Sequence, residues 1–231
     1  MKIIACATVI DELEPLLPPH AEAEELDFGL HTNPDHLKSA LQEAIDATPP
    51  SVETIALGYG LCSHAVLGLT SQTSTLVVPR VDDCIGIFLG SAQAYQQESA
   101  AEPGTYYLTR GWIEAGDGPF EDYEHTVVRY GEEKARWVME KLLARYTRLA
   151  LINTGQYEID PYRTYAKRTA DRFGLRYEEI PGSTALLEKM VRGPWDDDFV
   201  VAPPGTAIRF ADFARNPSPV PLQEPSIPSH S

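Results

Sequence analysis

The chain has 231 residues, of which 34 are acidic and 19 basic, giving a formal net charge of −15. Nucleic-acid binding needs a basic footprint to displace counterions from phosphates, so this balance excludes it for the chain as a whole. The composition, 43% hydrophobic and 23% charged, is globular, and no run approaches the roughly 20 apolar residues of a membrane span.

Lys2 to Ala7 reads as a first strand rather than a signal peptide, because acids follow it closely, and the expected location is the cytoplasm. Asp11 to Leu17 begins a helix that Pro18-Pro19 stops. Leu37 to Ala47 sets Leu37, Ala40, Leu41, Ala44 and Ile45 on one helical face, between Pro34 and Pro49-Pro50. Thr54 to Leu57 reads as a buried strand entering the Gly58-Tyr59-Gly60 turn, and Thr75 to Pro79 as another. A helix is expected from Ile85 to about Gln97, a strand over Gly104 to Thr109, and one long helix within Glu121 to Tyr146, with Ala135, Val138, Met139, Leu142 and Leu143 as its buried stripe. Leu149 to Ile152, Arg176 to Ile180 and Phe199 to Ala202 read as strands. Helices are expected over Tyr162 to Phe173, closed by Gly174, and over Thr184 to Arg192.

Strands alternating with helices in this way predict an α/β, Rossmann-like fold with a mostly parallel sheet covered on both faces. Residues 1–214 make the α/β domain, either as one sheet or as two lobes, about 1–112 and 126–214, around a cleft. Gly116, Gly118 and Pro119 loosen the pattern between them. Residues 215–231 contain five prolines and few charges, the composition of a flexible tail.

In parallel sheets ligands gather outside the carboxyl ends of the strands. Cys6, Cys62 and Cys84 all fall at strand exits, so neighbouring strands would converge three thiolates on one point. An odd number of cysteines with no CxxC pair argues against a disulfide framework and leaves free thiols or metal ligands. Zinc would take three sulfurs and a fourth ligand, for which His64 is the candidate; an iron–sulfur cluster held by three cysteines leaves one iron open to substrate. The ordinary alternative is that each cysteine is a small buried hydrophobe. Tyr59, Arg80 and Asp83 are the candidate catalytic residues. Arg80 offers a fork suited to carboxylate or phosphate, against the commoner fate of a surface salt bridge with Asp82 or Asp83. Arg110 and Trp112 are expected to wall the same cleft, and Asn153, Thr154 and Gly155 form a loop whose amides suit an anion or cofactor. GxxxxGK[ST], HExxH and GxSxG do not occur, which removes the warrants for nucleoside-triphosphate hydrolysis, zincin proteolysis and serine-esterase chemistry.

GYGLC at 58–62, PRVDDCIGIFLGS at 79–91, GTYYLTRGW at 104–112 and INTG at 152–155 resemble the successive blocks of the bacterial and archaeal domain-of-unknown-function family numbered 1638. Where the family pattern has His-Asp-Cys this chain has Asp82-Asp83-Cys84, and where an aspartate often opens the INTG block it has Asn153. The resemblance implies no established reaction. It implies a context of one-carbon metabolism, since members often adjoin genes for corrinoid-dependent methyltransferases. Three cysteines on Rossmann-like lobes are also similar to enzymes whose site-differentiated cluster performs dehydration or desulfuration, a likeness of fold alone.

The leading expectation is an enzyme whose three-cysteine centre, a [4Fe-4S] cluster or zinc, activates a small substrate in one-carbon or sulfur metabolism. A non-catalytic accessory protein that binds a corrinoid protein or methyltransferase is the alternative. A third reading keeps the cysteines structural beside an organic-anion pocket at Arg80 and Asn153.

Overall fold

Five consecutive buried residues, KIIAC, form β1 (Lys2–Cys6), the pattern of a strand covered on both faces. The computed structural model describes residues 1–61, 64–116 and 118–214. Cys62 and the proline-rich segment 215–231 therefore lie outside the described residues. From Cys6 the chain turns directly into α1 (Ala7–Leu13), and β2 (Glu22–Leu26) then pairs parallel to β1. α2 (Pro34–Asp46) follows, with Asn33 accepting from the amides of Asp35 and His36 at its start and Leu37, Leu41, Ala44 and Ile45 buried along one face.

β3 (Thr54–Gly58) and β4 (Thr75–Pro79) complete the parallel set, and β8 (Phe199–Ala202) closes it antiparallel to β4, giving the order β2-β1-β3-β4-β8. A second sheet holds β5 (Thr105–Leu108), β6 (Arg148–Asn153) and β7 (Arg176–Pro181), all parallel. Helices flank both: α3 (Cys84–Phe88), α4 (Ala92–Ala101), α5 (Arg110–Ala115), α6 (Pro119–Tyr130), α7 (Glu132–Leu142), α8 (Asp160–Phe173) and α9 (Ala185–Arg192). The fold is α/β and Rossmann-like. The strands change sheet before β5 and again between β7 and β8, not at segment 113–125, because β5 pairs with β6 and β8 returns to β4.

Three elements differ from their sequence signals. β2 reads EAEEL and lacks an apolar face because it is an edge strand, where charge discourages pairing with other chains; Glu24 pairs with Lys2 at 2.6 Å. The long helix expected across 121–146 is two helices, broken at Gly131, whose φ of 85° no helix accommodates. Of its stripe Ala135, Met139 and Leu143 are buried, while Leu142 is 53% exposed. The helix expected over 85–97 breaks likewise at Gly90, φ 82°, after which Ser91 caps α4.

The larger core spans the five-stranded sheet with α1, α2 and α9, and draws in Ala150, Ile152 and Ile180 from the second sheet. The smaller core joins Leu149 and Leu151 to Phe120, Tyr123, Ala135 and Met139. At the amino end of β6, Arg148 is 2% exposed and donates to Thr105 Oγ1 at 2.8 Å, while its guanidinium pairs with Glu98 and Glu178. Such a charge is tolerable inside because each of its three nitrogens meets an acceptor.

Candidate functional site

β1, β3 and β4 are consecutive neighbours and parallel, so their carboxyl ends open on one edge of the five-stranded sheet. Ala5 pairs with Gly58, where a Cβ would stand 2.5 Å from Ala5 Cβ and 2.9 Å from Val9; the missing side chain lets α1 and β1 close on β3. Beyond it, a Cβ on Gly60 would lie 2.7 Å from the Val81 carbonyl oxygen and 2.9 Å from the Asp83 nitrogen, and Leu61 N–H donates to Val81 O at 2.8 Å. The exits of β3 and β4 are thus clamped together, with Cys84 just past one and Cys62 next in sequence past the other.

Cys6 is buried at the start of α1, its Sγ 3.2 Å from Thr8 Oγ1, and burial pushes its thiol up from the ordinary range. Cys84 is half-buried at the first position of α3. Among the described residues no group of three or more His, Cys, Asp or Glu side chains is arranged to hold a metal ion, a statement that leaves Cys62 out.

The other expected residues take these places. Tyr59 is buried with its ring stacked 5.9 Å from that of His31. Arg80 turns to β8, donating from Nη2 to Phe199 O at 3.1 Å, and its Nε is buried with no hydrogen-bond partner among the described residues. Asp83 caps α3 by accepting from Ile85 N–H at 2.9 Å and takes the Tyr95 hydroxyl at 3.3 Å; burial raises its carboxyl above the usual range. His64 has a left-handed backbone, φ 64°, and its ring centroid lies 6.0 Å from that of Phe210.

The carboxyl edge of the three-stranded sheet carries the remainder. Arg110 opens α5, pairs with Glu114 at 3.1 Å and Asp11 at 3.8 Å, and lies over the Tyr157 ring. Trp112 meets Phe28 edge to face, with its indole nitrogen buried and unpartnered among the described residues. Asn153 spends its carboxamide internally: Nδ2 donates to Glu179 and Oδ1 accepts from Gly155 N–H, each at 2.9 Å. Arg163 holds the same Glu179, whose carboxyl falls to about 2. Asn153, Thr154 and Gly155 line an open depression of about 360 Å³ with Glu179, Ile180 and Pro181.

The two edges meet. A Cβ on Gly111 would lie 2.7 Å from Thr8 Cα, so α5 rests on the start of α1 beside the Cys6–Thr8 pair. Ser183 N–H donates to Phe88 O at 2.8 Å. Between them Thr154 donates to Glu12 Oε2 at 2.6 Å, joining the loop after β6 to α1. Glu12, Tyr157 and His31 were not singled out from the sequence. Glu12 had a signal: it lies three residues after Val9 and four after Thr8, on the buried side of α1. Away from the strand ends, a cavity of about 280 Å³ beside Tyr123 and Phe173 holds two arginines already paired, Arg136 with Glu132 and Arg172 with Glu124.

The family model described as "Protein of unknown function (DUF1638)" matches residues 25–191, more than two thirds of the chain. The chain belongs to that family. The matched stretch takes in Tyr59, Cys62, Cys84, Trp112 and the Asn153-Thr154-Gly155 loop and starts after Cys6 and Glu12. Neither the curated proteins nor the solved structures compared with the chain give a match. No helix among the described residues is long and apolar enough to cross a membrane.

Proposed function

We propose that this DUF1638 protein is a metal-dependent enzyme that acts on a small substrate between the facing edges of its two parallel sheets. Cys6, Cys62 and Cys84 are the ligands of its centre, an iron–sulfur cluster with one open iron or a zinc ion. The observation that carries the reading is strand order: β1, β3 and β4, whose exits lead to the three cysteines, are adjacent and parallel. An order that set these three strands apart would scatter the thiols along the edge.

The donor set fits. Soft thiolates suit iron–sulfur clusters and zinc, and glycines at 58 and 60 let the exits of neighbouring strands approach closely, which supports the reading. When bound, the metal supplies Lewis-acid activation of a substrate oxygen or thiol. The chain's own residues do the rest. The Thr8 hydroxyl beside Cys6 Sγ orients that sulfur. Trp112 and Phe28 form an apolar part of the adjoining wall, and Arg110, on the same helix as Trp112, is held in place by Asp11 and Glu114.

Anaerobic purification followed by iron, zinc and sulfide analysis and a visible spectrum tests the proposal. Near-stoichiometric metal lost in Cys6→Ser, Cys62→Ser and Cys84→Ser alike is the expected result. Metal-free protein, or metal retained in all three variants, overturns it.

A further inference from the structure

Glu12 is 2% exposed, yet only one of its carboxyl oxygens is satisfied: Oε2 accepts from Thr154, while Oε1 is buried with no hydrogen-bond partner among the described residues. The charged and titratable groups facing it are Asp11 on its own helix, Arg110 on α5 and Tyr157 in the loop after β6. Arg110 is directed at Asp11 and Glu114, and the Tyr157 hydroxyl donates to Ile152 O at 3.4 Å while accepting from Arg110 N–H at 3.3 Å. The Arg110 charge and the Tyr157 hydroxyl favour the carboxylate, but neither forms a hydrogen bond or ion pair with Oε1 among the described residues. An ionised carboxylate stranded in this way lacks donors for an oxygen that demands them, whereas a carboxylic acid leaves far less charge unsolvated. Burial accordingly raises the Glu12 carboxyl above the usual range.

Thr154 links this acid to the outside. Its hydroxyl touches Glu12, and the same residue lines the open depression at the end of β6. A hydroxyl both donates and accepts, so it passes a proton on without changing itself.

We infer that Glu12 and Thr154 form a proton-transfer pair serving the depression at the carboxyl end of β6, whose ligand is a small molecule with an oxygen or nitrogen that gains a proton there. The step runs through the reversed hydrogen bond, with protonated Glu12 Oε2 donating to Thr154 Oγ1 and the Thr154 hydrogen turned to the ligand: the Glu12 O–H bond breaks as Thr154 Oγ1 takes the proton, and the proton that Thr154 held bonds to the ligand atom. Glu12 is left as carboxylate, Thr154 is unchanged, and no electrons are transferred between groups. The destination of the proton rests on the reading of the cleft as a reaction site; the pair itself does not depend on the cysteines or on metal. Acting through Thr154, Glu12 is a positioning residue that stores the proton, and Thr154 is the group that touches the ligand.

Infrared spectroscopy of protein carrying isotope-labelled glutamate tests this with no ligand present. As pH rises from the acid side, one glutamate carboxyl band is expected to outlast the others, and it is absent from Glu12→Gln. On transfer to heavy water that band shifts within the mixing time in the parent protein. It shifts slower by at least an order of magnitude in Thr154→Val and at the parent rate in Thr154→Ser. If Glu12→Gln fails to fold, the label still identifies the band as glutamate and the two Thr154 variants carry the test. Every glutamate ionising over the same pH range, or equal exchange in Thr154→Val and the parent, overturns the inference. Metal content, which Thr154→Val leaves unchanged, reports separately on the proposed centre.

Discussion

At the carboxyl edge of the five-stranded sheet the side chains are thiols and rings, Cys6, Tyr59 and Cys84, with His31 and Trp112 nearby. At that of the three-stranded sheet they are Arg110, Asn153, Thr154 and Glu179, tied by charge-assisted hydrogen bonds. Both edges arise from the same parallel topology. The difference follows from cover: the first is packed beneath α1 and α5 and contributes few ion pairs, while the second opens to solvent, where only paired groups hold a fixed geometry. One edge keeps its thiols away from water, the other keeps polar groups in place beside it.

The sharpest break of this comparison is Arg148→Ala. It leaves Glu98 and Glu178 facing the void of the buried guanidinium; both carboxylates are partly exposed and Glu178 keeps Arg176, so the cost is about 3 kcal/mol, the lower end for breaking a buried pair. The loss belongs to the three-stranded sheet, so hydrogen exchange is expected to quicken in β5, β6 and β7 far more than in β1, β3 and β4. Equal acceleration in both sheets would show that the molecule unfolds as one unit.

Gly111→Ala strikes the junction instead. Its new Cβ would meet Thr8 Cα, which is backbone and cannot swing aside, and overpacking of this kind costs about 1–3 kcal/mol. Urea denaturation measures the loss. Greater reactivity of Cys6 toward a thiol reagent should accompany it, because the helix lifted away is the one covering Thr8.

Cys6 and Cys84 offer a comparison within one edge. In metal-stripped protein Cys6 is expected to label more slowly than Cys84, by about tenfold for each unit that burial raises its thiol and further for lost access. Labelling with mass-spectrometric readout checks it; equal rates would mean that Cys6 is not sealed.

Much of this was legible in the residues. Apolar runs such as KIIAC and TLVVP carry a buried parallel sheet in their composition, and cysteines at strand exits mark an edge before the strand order is known. What stayed hidden depends on the third dimension. EAEEL has no strand signal because an edge strand answers to solvent, not to a core. Asn153 resembles a ligand group in the sequence, but Glu179, 26 residues on, claims its amide. For Glu12 the residues carry only its spacing after Thr8 and Val9; the second sheet, arriving through Thr154, completes its enclosure.

The smallest effect concerns that enclosure. Because burial raises the Glu12 carboxyl above its unfolded value, the folded state holds a proton that the unfolded chain releases as pH climbs past the ordinary glutamate range. Its contribution to stability is complete below the unfolded value and falls as pH rises through the folded one. Glu12→Gln keeps an oxygen for Thr154 but cannot titrate, so the parent's stability relative to the variant should drop across that window and level off above it. Denaturant midpoints of both proteins from acid to neutral pH measure the difference. Asp11 and Asp83, also raised by burial, titrate in both proteins and largely cancel. A flat difference would mean that Glu12 titrates alike in the folded and unfolded protein, and the second edge would then have no stored proton to set it apart from the first.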